Sequence, residues 1–539
     1  MSIQDNFYEL ALSHVPFVQS AESYPDYKLA VTDIEAGKAW TFKEFNRDIN
    51  KLAHAFQEVN FKKGDVVMAS MLNGSDFILA TYATFKTGAI FSPINFRIPE
   101  ADVAYHIEDS QPKIYLYDEE LKDIARPALE RSRHKPQLVI STAEFGNLMK
   151  DKPETEPKIL DGITPFDEAL RLYTSGTTGK AKGVPLSHLA NYMTYFLLSV
   201  DGMDANTRFL DLSPYFHRAG GHPFMACLGF GSHVFAMKHF DPRVALDTVE
   251  KEKITFIIGA PPMFAAMIMV MREGAKQGKK WDVSSLNGID SMGAPLVRSL
   301  YQACKEMLTE NIFNSDGNTE TGWDIKQYPW APSVKWAPTP VMNGISCPFH
   351  FVRVVKAYSD KKAEPDEIVP RDGKTEGEMI VKSLLQDDHY HNQPDQTAKA
   401  FYKGWYYTGD VVTWDKDGYF AIRSRTGDMI LSGAENIYPE EVEAILNEHP
   451  KVADSVVVGV PDEVMGEKVG AYVMPKDPSL TVEELDQYMA QHPTLARFKR
   501  PRYYKFIREV HYTATGKKIH YELRDQIKAD LENGELKAL

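Results

Sequence analysis

Tyr173-Thr174-Ser175-Gly176-Thr177-Thr178-Gly179-Lys180-Ala181-Lys182-Gly183 carries more information than any other stretch of this chain. Four small hydroxyl residues, three glycines and two lysines share one short loop. That mixture suits a polyphosphate: glycine lets backbone N–H groups approach the oxygens, hydroxyls donate further hydrogen bonds, and lysine supplies charge. The loop is not a Walker A motif. Thr174 stands where that motif opens with glycine, and Ala181 follows Lys180 where it requires Ser or Thr. A solvated Gly/Ser/Thr linker is the plain alternative. Two lysines in a glycine frame between apolar flanks, Leu172 and Val184-Pro185-Leu186, argue against it.

Around this loop lies a chain of 539 residues, too long for one hydrophobic core, so two or more structural units are expected. Hydrophobic residues make up 43% and charged residues 25%, the balance of a soluble globular enzyme. The net charge of −14 and the absence of long basic runs argue against general nucleic-acid binding. An anionic substrate needs only local positive charge. Cys227, Cys304 and Cys347 have neither metal-ligand spacing nor a disulfide framework, which fits a reducing cytoplasm. The first residues lack the regions of a signal peptide, and the final Leu-Lys-Ala-Leu is neither a prenylation nor a peroxisomal signal. Ile254 to Met271 is nearly all apolar, but Pro261-Pro262 at its centre argues against a membrane span. A buried strand at about 254–258, a turn and a helix starting near the second proline are expected instead.

Short apolar runs alternate with amphipathic stretches. Asp65 to Leu72 reads as a strand, Ser75 as the cap of a helix running through Phe85, and Ala89-Ile90-Phe91 as the next strand. Repeated strand–helix–strand order implies parallel sheets covered by helices. After residue 340 the pattern changes: Gly377 to Lys382 and Gly418 to Arg423 look like strands joined by tight turns, a small β-rich subdomain over about 340–424. Beyond Arg425 compact α/β order returns, with a helix over Pro439–His449, a strand over Ser455–Val460 and a helix over Val482–Gln491. The expected fold is therefore α/β. A large N-terminal domain (1–424) has two helix-covered, mostly parallel sheets plus the β-rich subdomain, and a small C-terminal domain spans 425–539.

Further clusters carry chemistry. Pro214-Tyr215-Phe216-His217 precedes Arg218, Gly220 and Gly221. Ser291-Met292-Gly293-Ala294-Pro295-Leu296 is a small-residue turn where backbone can meet a flat ligand. Asn314-Ser315-Asp316-Gly317-Asn318-Thr319-Glu320-Thr321-Gly322 is polar, turn-rich and holds two carboxylates. Tyr407-Thr408-Gly409-Asp410, then Arg425 and Asp428, then Ser432-Gly433-Ala434-Glu435-Asn436, and finally Thr513-Ala514-Thr515-Gly516-Lys517-Lys518 follow in order. Each alone reads as a turn or a solvated charge.

In this order, and with Thr41-Phe42-Lys43-Glu44-Phe45 and Gly88 to Asn95 before them, the motifs resemble the adenylate-forming superfamily. It comprises acyl- and aryl-CoA synthetases, luciferases and peptide-synthetase adenylation domains, and the likeness runs over nearly the whole chain. The resemblance implies that a carboxylate attacks the α-phosphorus of ATP, releasing pyrophosphate, and that a thiol then expels AMP. Such chemistry relies on positioning and charge neutralisation. The stretch Thr174, Ser175, Gly176, Thr177, Thr178, Gly179, Lys180 and Lys182 would hold the β- and γ-phosphates, with Thr174 close to the reaction. Glu320 would bind Mg²⁺. Gly293, Ala294 and Pro295, with Asn314, Asp316, Gly317, Asn318 and Thr319, would line the adenine site. Asp410 would accept hydrogen bonds from both ribose hydroxyls, beside Arg425. Lys517 would stabilise the oxygens that gain charge, arriving on a mobile C-terminal domain with its hinge at Gly427, where the family more often has Asp or Lys. Ser432, Gly433, Ala434 and Glu435 would line a coenzyme A channel. His217 would gate the acyl carbon, and Arg218, Gly220, Met292 and Trp323 would shape the acyl pocket.

The chain departs from the family at several points. Asp316 replaces an adenine-stacking aromatic, His511-Tyr512 a Pro-Arg pair, Ala181 a proline and Ala434 a glycine. Arg218 could pair with a second polar group of the substrate, with Asp316, or within a structural ion pair. The leading expectation is a cytoplasmic acid–CoA ligase using ATP, Mg²⁺ and coenzyme A on a small-molecule carboxylic acid, with a homodimer left open. The alternatives are a stand-alone ligase loading a carrier protein, a luciferase-like oxygenase, and a degenerate nucleotide-binding paralogue whose only support is Asp316. The short tail after Lys517 disfavours a fused carrier domain, as in a multidomain peptide synthetase. Neither the acid nor the net direction in the cell follows from these residues.

Overall fold

A computed structural model describes residues 3–538 apart from 175–180, 294–295, 297, 330–342, 359–360, 426, 433–434, 463–464, 494 and 513–517. Three sheets organise it. In the first, strands Leu29–Asp33, His233–Ala236, Arg208–Asp211, Phe256–Gly259, Gly288–Met292 and Ile312–Asn318 run parallel, side by side in that order. In the second, Leu138–Ser141, Ile114–Tyr117, Val66–Ser70, Ile90–Pro93 and Glu168–Thr174 are parallel, and Lys182–Ser187 returns antiparallel at the edge. The main apolar cluster lies around the helix Ser75–Thr87, which is buried along its whole length apart from Asp76 in its first turn. A helix with no polar face belongs inside a domain.

The β-rich segment after 340 does not form a sheet of its own. The strand Asn343–Ser346 pairs with Gly322–Gln327 and also with Phe420–Arg425. It thereby welds the antiparallel strands Phe420–Arg425, Trp405–Trp414, Glu376–Ser383 and His350–Val355 onto the parallel half, in a continuous 14-stranded sheet. Periodicity reports each strand but not its neighbour. From Ile430 onward the chain builds the third sheet, packed on the helices Pro439–Glu448 and Val482–Gln491.

Local signals are met closely, with two differences. Thr41 and Glu44 form a reciprocal capping box that starts the helix Phe42–Gln57. Ser75, by contrast, is the first helical residue rather than the cap. Gly74 holds the cap position at φ +144°, and the Ser75 hydroxyl donates to Asp33 Oδ2 at 2.8 Å. The apolar stretch folds as the strand Phe256–Gly259 and the helix Pro261–Lys276, which starts at the first proline, where a missing N–H costs nothing. Among the described residues no helix is long and apolar enough to cross a membrane.

Candidate active site

The motif residues gather at the carboxyl ends of parallel strands. Asp211 leads to His217, Met292 to Gly293, Ile312–Asn318 to Glu320, and Glu168–Thr174 to the glycine-rich loop. Ligands of open α/β sheets bind at such ends.

Thr174 faces Lys182 directly across the two strands that carry the loop. Ser175, Gly176, Thr177, Thr178, Gly179 and Lys180 lie outside the described residues. One leg of the loop is strapped from outside. Gln393 Nε2 donates to the Ala181 carbonyl at 2.8 Å, and the His391 N–H to the Gly183 carbonyl at 2.8 Å. Lys182 is half-buried, with its ammonium 4.9 Å from the centre of the Tyr390 ring. Burial lowers its pKa, against the opposing pull of Glu320.

Glu320 sits on the turn between Ile312–Asn318 and Gly322–Gln327. Gly317 makes that turn feasible, because a Cβ there would lie 1.7 Å from the Gly322 carbonyl oxygen. The Glu320 side chain is buried, and Tyr390 donates its hydroxyl to Oε1 at 2.6 Å. Arg218, itself buried, holds the same turn. Its guanidinium donates to the carbonyls of Thr319 at 2.5 Å and Leu385 at 3.3 Å. Burial pulls the guanidinium down to about 10, with nearby Asp324, Glu320 and Asp387 offsetting part of that shift.

Asp410 and Arg425 are cross-strand partners, with Arg425 Nε 2.8 Å from Asp410 Oδ1. The neighbouring Asp410 charge raises the Arg425 pKa despite burial, and Asp316 and Glu320 add to the effect. Arg425 also reaches Asn318 Oδ1 at 3.5 Å. Asp410 Oδ2 is buried and meets no hydrogen-bond donor among the described residues. An orphaned carboxylate oxygen of this kind fits a ligand hydroxyl. Asn314 and Ser291 lie in register on adjacent strands, and their buried amide and hydroxyl also find no partner among the described residues. Gly293 turns the chain out of its strand at φ +87°. Ala294 and Pro295 lie outside the described residues. Asp316 occupies the hairpin opposite Ile325.

The residues expected on the acyl side are spread over several elements. His217 caps the helix Arg218–Phe230, its Nδ1 accepting the Ala219 N–H at 3.4 Å. It borders a cavity of about 10 Å³ walled by Phe77, Phe91, Leu170, Leu172, Phe224 and Met225. Arg218, Gly220, Met292 and Trp323 do not line that cavity. Arg218 points to the Glu320 turn, Gly220 packs on the carbonyls of Ser213 and Pro214, and Met292 and Trp323 are buried in the main core. The pairing of Arg218 with Asp316 is replaced by its two main-chain contacts. A second cleft, about 40 Å³, lies behind the Pro214 segment among Asn73, Phe96, Arg97, Lys238, Phe240 and Met263. Lys238 on its rim is tied to Asp118 and Glu120.

In the C-terminal part, Ser432 and Glu435 pair across the hairpin tip, whose residues Gly433 and Ala434 are outside the described set. Gly427 is exposed, with open space where a Cβ would stand and no positive φ, so this conformation does not itself demand glycine. Its carbonyl accepts from Arg524. Lys517 lies outside the described residues, but its neighbour Lys518 is spoken for. Lys518 Nζ is 3.0 Å from Glu443 Oε2, 2.8 Å from Asp454 Oδ1 and 2.6 Å from the Ser455 carbonyl. His520 meets Glu443 Oε1 at 2.7 Å. Burial alone would lower the His520 pKa, but Glu443 overrides it and raises it to about 9.

Sequence reading missed Tyr390, the Lys518–Glu443–His520 cluster, and a buried triad. In the triad Lys326 Nζ contacts Asp201 at 2.5 Å and Asp290 at 2.7 Å, and Ser315 donates to Asp290 at 2.9 Å. The available signal was charge inside an otherwise apolar strand, Trp323-Asp324-Ile325-Lys326. Among the described residues no group of three or more His, Cys, Asp or Glu side chains could cage a metal. One carboxylate with phosphate oxygens is nonetheless a usual setting for Mg²⁺, and Glu320 supplies a hard oxygen donor of the right kind.

The model of the AMP-binding enzyme family matches residues 17–385, and that of the AMP-binding enzyme C-terminal domain matches 441–517. The chain is 30% identical to the fatty acid–[acyl-carrier-protein] ligase ScoC of Streptomyces coeruleorubidus, covering 92% of this chain and 93% of that protein. It is 29% identical to the 2-succinylbenzoate–CoA ligase of a Geobacillus strain, covering 94% and 96%. The fold superposes on ATP-bound MatB from Rhodopseudomonas palustris with a TM-score of 0.82 at 23% identity, covering 96% of this chain and 99% of that one.

Proposed function

This chain belongs to the AMP-binding enzyme family, is an AMP-forming acid–thiol ligase, and we propose the following division of work among its residues. A carboxylate oxygen of the acid bonds to the α-phosphorus of ATP, and the α–β bridging oxygen leaves with its electron pair as pyrophosphate. The thiolate of coenzyme A then bonds to the acyl carbon, and AMP leaves with the electrons of the acyl–oxygen bond. The observation that carries this reading is the meeting of Asp410, Arg425, Asn318 and Glu320 at one end of the sheet, beside Thr174 and Lys182.

In this reading Asp410 Oδ2 takes the ribose hydroxyls, with its position set by the bond to Arg425. Asn314 and Ser291, with Gly293, face the base. Thr174, the loop 175–180 and Lys182 neutralise the β- and γ-phosphates. Mg²⁺ would be held by Glu320 together with phosphate oxygens, and it supplies charge neutralisation on the polyphosphate. Lys517 meets the oxygens that gain charge during attack. Lys518, held by Glu443 and Asp454, is occupied elsewhere. The small domain follows the strand Phe420–Arg425, one residue later than the sequence boundary, and turns about Gly427 between the two half-reactions, bringing Ser432 to Glu435 toward the acceptor. The enzyme works where ATP and coenzyme A are supplied, in the cytoplasm.

The acid is an acyl or aryl carboxylate, and Arg218, committed to the backbone carbonyls of Thr319 and Leu385, is not the residue that selects it. A carrier-protein thiol is the second reading for the acceptor, favoured by the likeness to a fatty acid–[acyl-carrier-protein] ligase. Pyrophosphate release is measured over a panel of acids, with coenzyme A or a phosphopantetheinylated carrier protein as acceptor. A thioester to coenzyme A from at least one of these acids is expected, and Lys517→Ala should lower adenylation at least about a hundredfold while ATP still binds. If no acid gives a coenzyme A thioester, the assignment of acceptor is wrong.

A further inference from the structure

Two opposite charges stand close to the phosphate loop without pairing. Lys182 and Glu320 feel one another, yet among the described residues no ion pair joins them. Between them stands Tyr390, which is 3% exposed. Its hydroxyl donates to Glu320 Oε1 at 2.6 Å, and its ring lies 4.9 Å beneath the Lys182 ammonium. Its own position is fixed from several sides. The Tyr390 N–H donates to Thr397 Oγ1 at 2.9 Å, the ring meets Phe401 edge-on at 5.6 Å, and the next residue is bonded to the Gly183 carbonyl at 2.8 Å.

A direct lysine–glutamate contact in a partly buried site is strong, and a metal–polyphosphate would have to break it before binding. A phenol in between changes the balance. The hydroxyl satisfies one oxygen of the carboxylate and fixes its direction. The ring face holds the ammonium by a weaker cation–π attraction, which releases more readily to phosphate.

We propose that Tyr390 is a positioning residue that keeps Glu320 and Lys182 from pairing and aims the Glu320 carboxylate at the metal-bearing end of the polyphosphate. The inference rests on Glu320 being the Mg²⁺ carboxylate. No covalent step involves Tyr390.

The test is calorimetric titration of the full chain, without acid, using Mg·ATP and, separately, ATP with a chelator. Wild type, Tyr390→Phe and Glu320→Gln are compared, with thermal unfolding run on each. Phenylalanine keeps the ring under Lys182 and removes only the hydroxyl. Wild type should bind Mg·ATP more tightly than metal-free ATP, and Glu320→Gln should lose that difference. Tyr390→Phe should weaken Mg·ATP binding by about tenfold or more, as for other outer partners of metal ligands. Its affinity for metal-free ATP should stay within about twofold of wild type. In steady state, the KM for Mg·ATP should rise while the KM values for acid and coenzyme A hold. If Tyr390→Phe binds Mg·ATP as wild type does while Glu320→Gln does not, the role of Tyr390 is overturned and the metal assignment stands. If Glu320→Gln keeps the metal-dependent gain, the metal assignment falls and the Tyr390 inference with it. A Tyr390→Phe variant that loses affinity for both forms of ATP equally would mark a merely structural tyrosine and also overturn the inference.

Discussion

Replacing Glu443 with glutamine removes one charge from a buried cluster and should loosen the part of the chain that carries Lys517. Glu443 Oε1 accepts from His520 at 2.7 Å and from the Val457 N–H at 2.8 Å, while Oε2 holds Lys518 at 3.0 Å. Although burial alone would raise the Glu443 pKa, Lys518 and His520 hold it down at about 2. His520 rises from its ordinary 6.5 to about 9. At about 1.4 kcal/mol per unit, the protonated histidine stabilises the folded state by about 3 kcal/mol, most of it still present at pH 7. Because the folded pKa is the higher one, this contribution is complete below 6.5 and is lost as pH rises through 9. In Glu443→Gln, His520 can shed its proton and Lys518 keeps Asp454 at 2.8 Å. The expected cost at pH 7 is therefore near the low end for a broken buried pair, about 3 kcal/mol. All seven tryptophans precede residue 425, so their fluorescence would report on the wrong part of the chain. Hydrogen exchange read by mass spectrometry over Pro439–Glu448 and Val452–Asp462, corrected for intrinsic rates, reports directly. Wild-type protection should fall about a hundredfold between pH 6.5 and 9.5, and the variant should be about a hundredfold faster at pH 7 with little further slope. A wild type without that slope, or a variant that keeps it, would refute the reasoning.

Three further outcomes are expected. Asp410→Asn loses both the charge that holds Arg425 and the orphaned oxygen, so the KM for ATP should rise about 10- to 100-fold in initial-rate measurements. A change under about twofold would exclude Asp410 from the nucleotide site. Arg218→Ala strips the donors from the Thr319 and Leu385 carbonyls, lowering stability by about 3 kcal/mol in denaturant melts and weakening Mg·ATP binding. The ranking of mono- against dicarboxylic acids should not change; a selective loss of dicarboxylic acids would return Arg218 to the substrate pocket. Gly427→Pro restricts the backbone at the proposed hinge. Acid-dependent ATP–pyrophosphate exchange should stay within about twofold while thioester formation slows at least about tenfold, and equal losses in both would place the pivot elsewhere.

Much of the architecture was legible because the signals that carry it are local. The helix Val482–Gln491 follows from its own apolar spacing, and Pro261 starts the next helix because a first-turn proline forfeits no bond. The glycine frame after Thr174 needs no tertiary partner to be singled out as the proposed phosphate cradle. Ser75 was misread because its true partner, Asp33, is 42 residues away. The β-rich segment was read as a subdomain of the N-terminal domain, but not as an extension of the parallel sheet, because a strand's period does not say which edge it joins. Arg218 was left between a substrate group, Asp316 and a structural ion pair for want of the Thr319 carbonyl, 101 residues on.

The sequence by itself determined the reaction class, since ordered motifs of small, charged and hydroxyl residues specify which chemical groups are brought to a nucleotide. Only the tertiary structure decided which of those groups meet and which are held apart. It committed Lys518 to Glu443, turned Arg218 onto the carbonyls behind Glu320, and set Tyr390 between Glu320 and Lys182. The physical reason is that pairing and separation of buried charges depend on distances between residues far apart in the chain. Those distances exist only once the strands have chosen their neighbours.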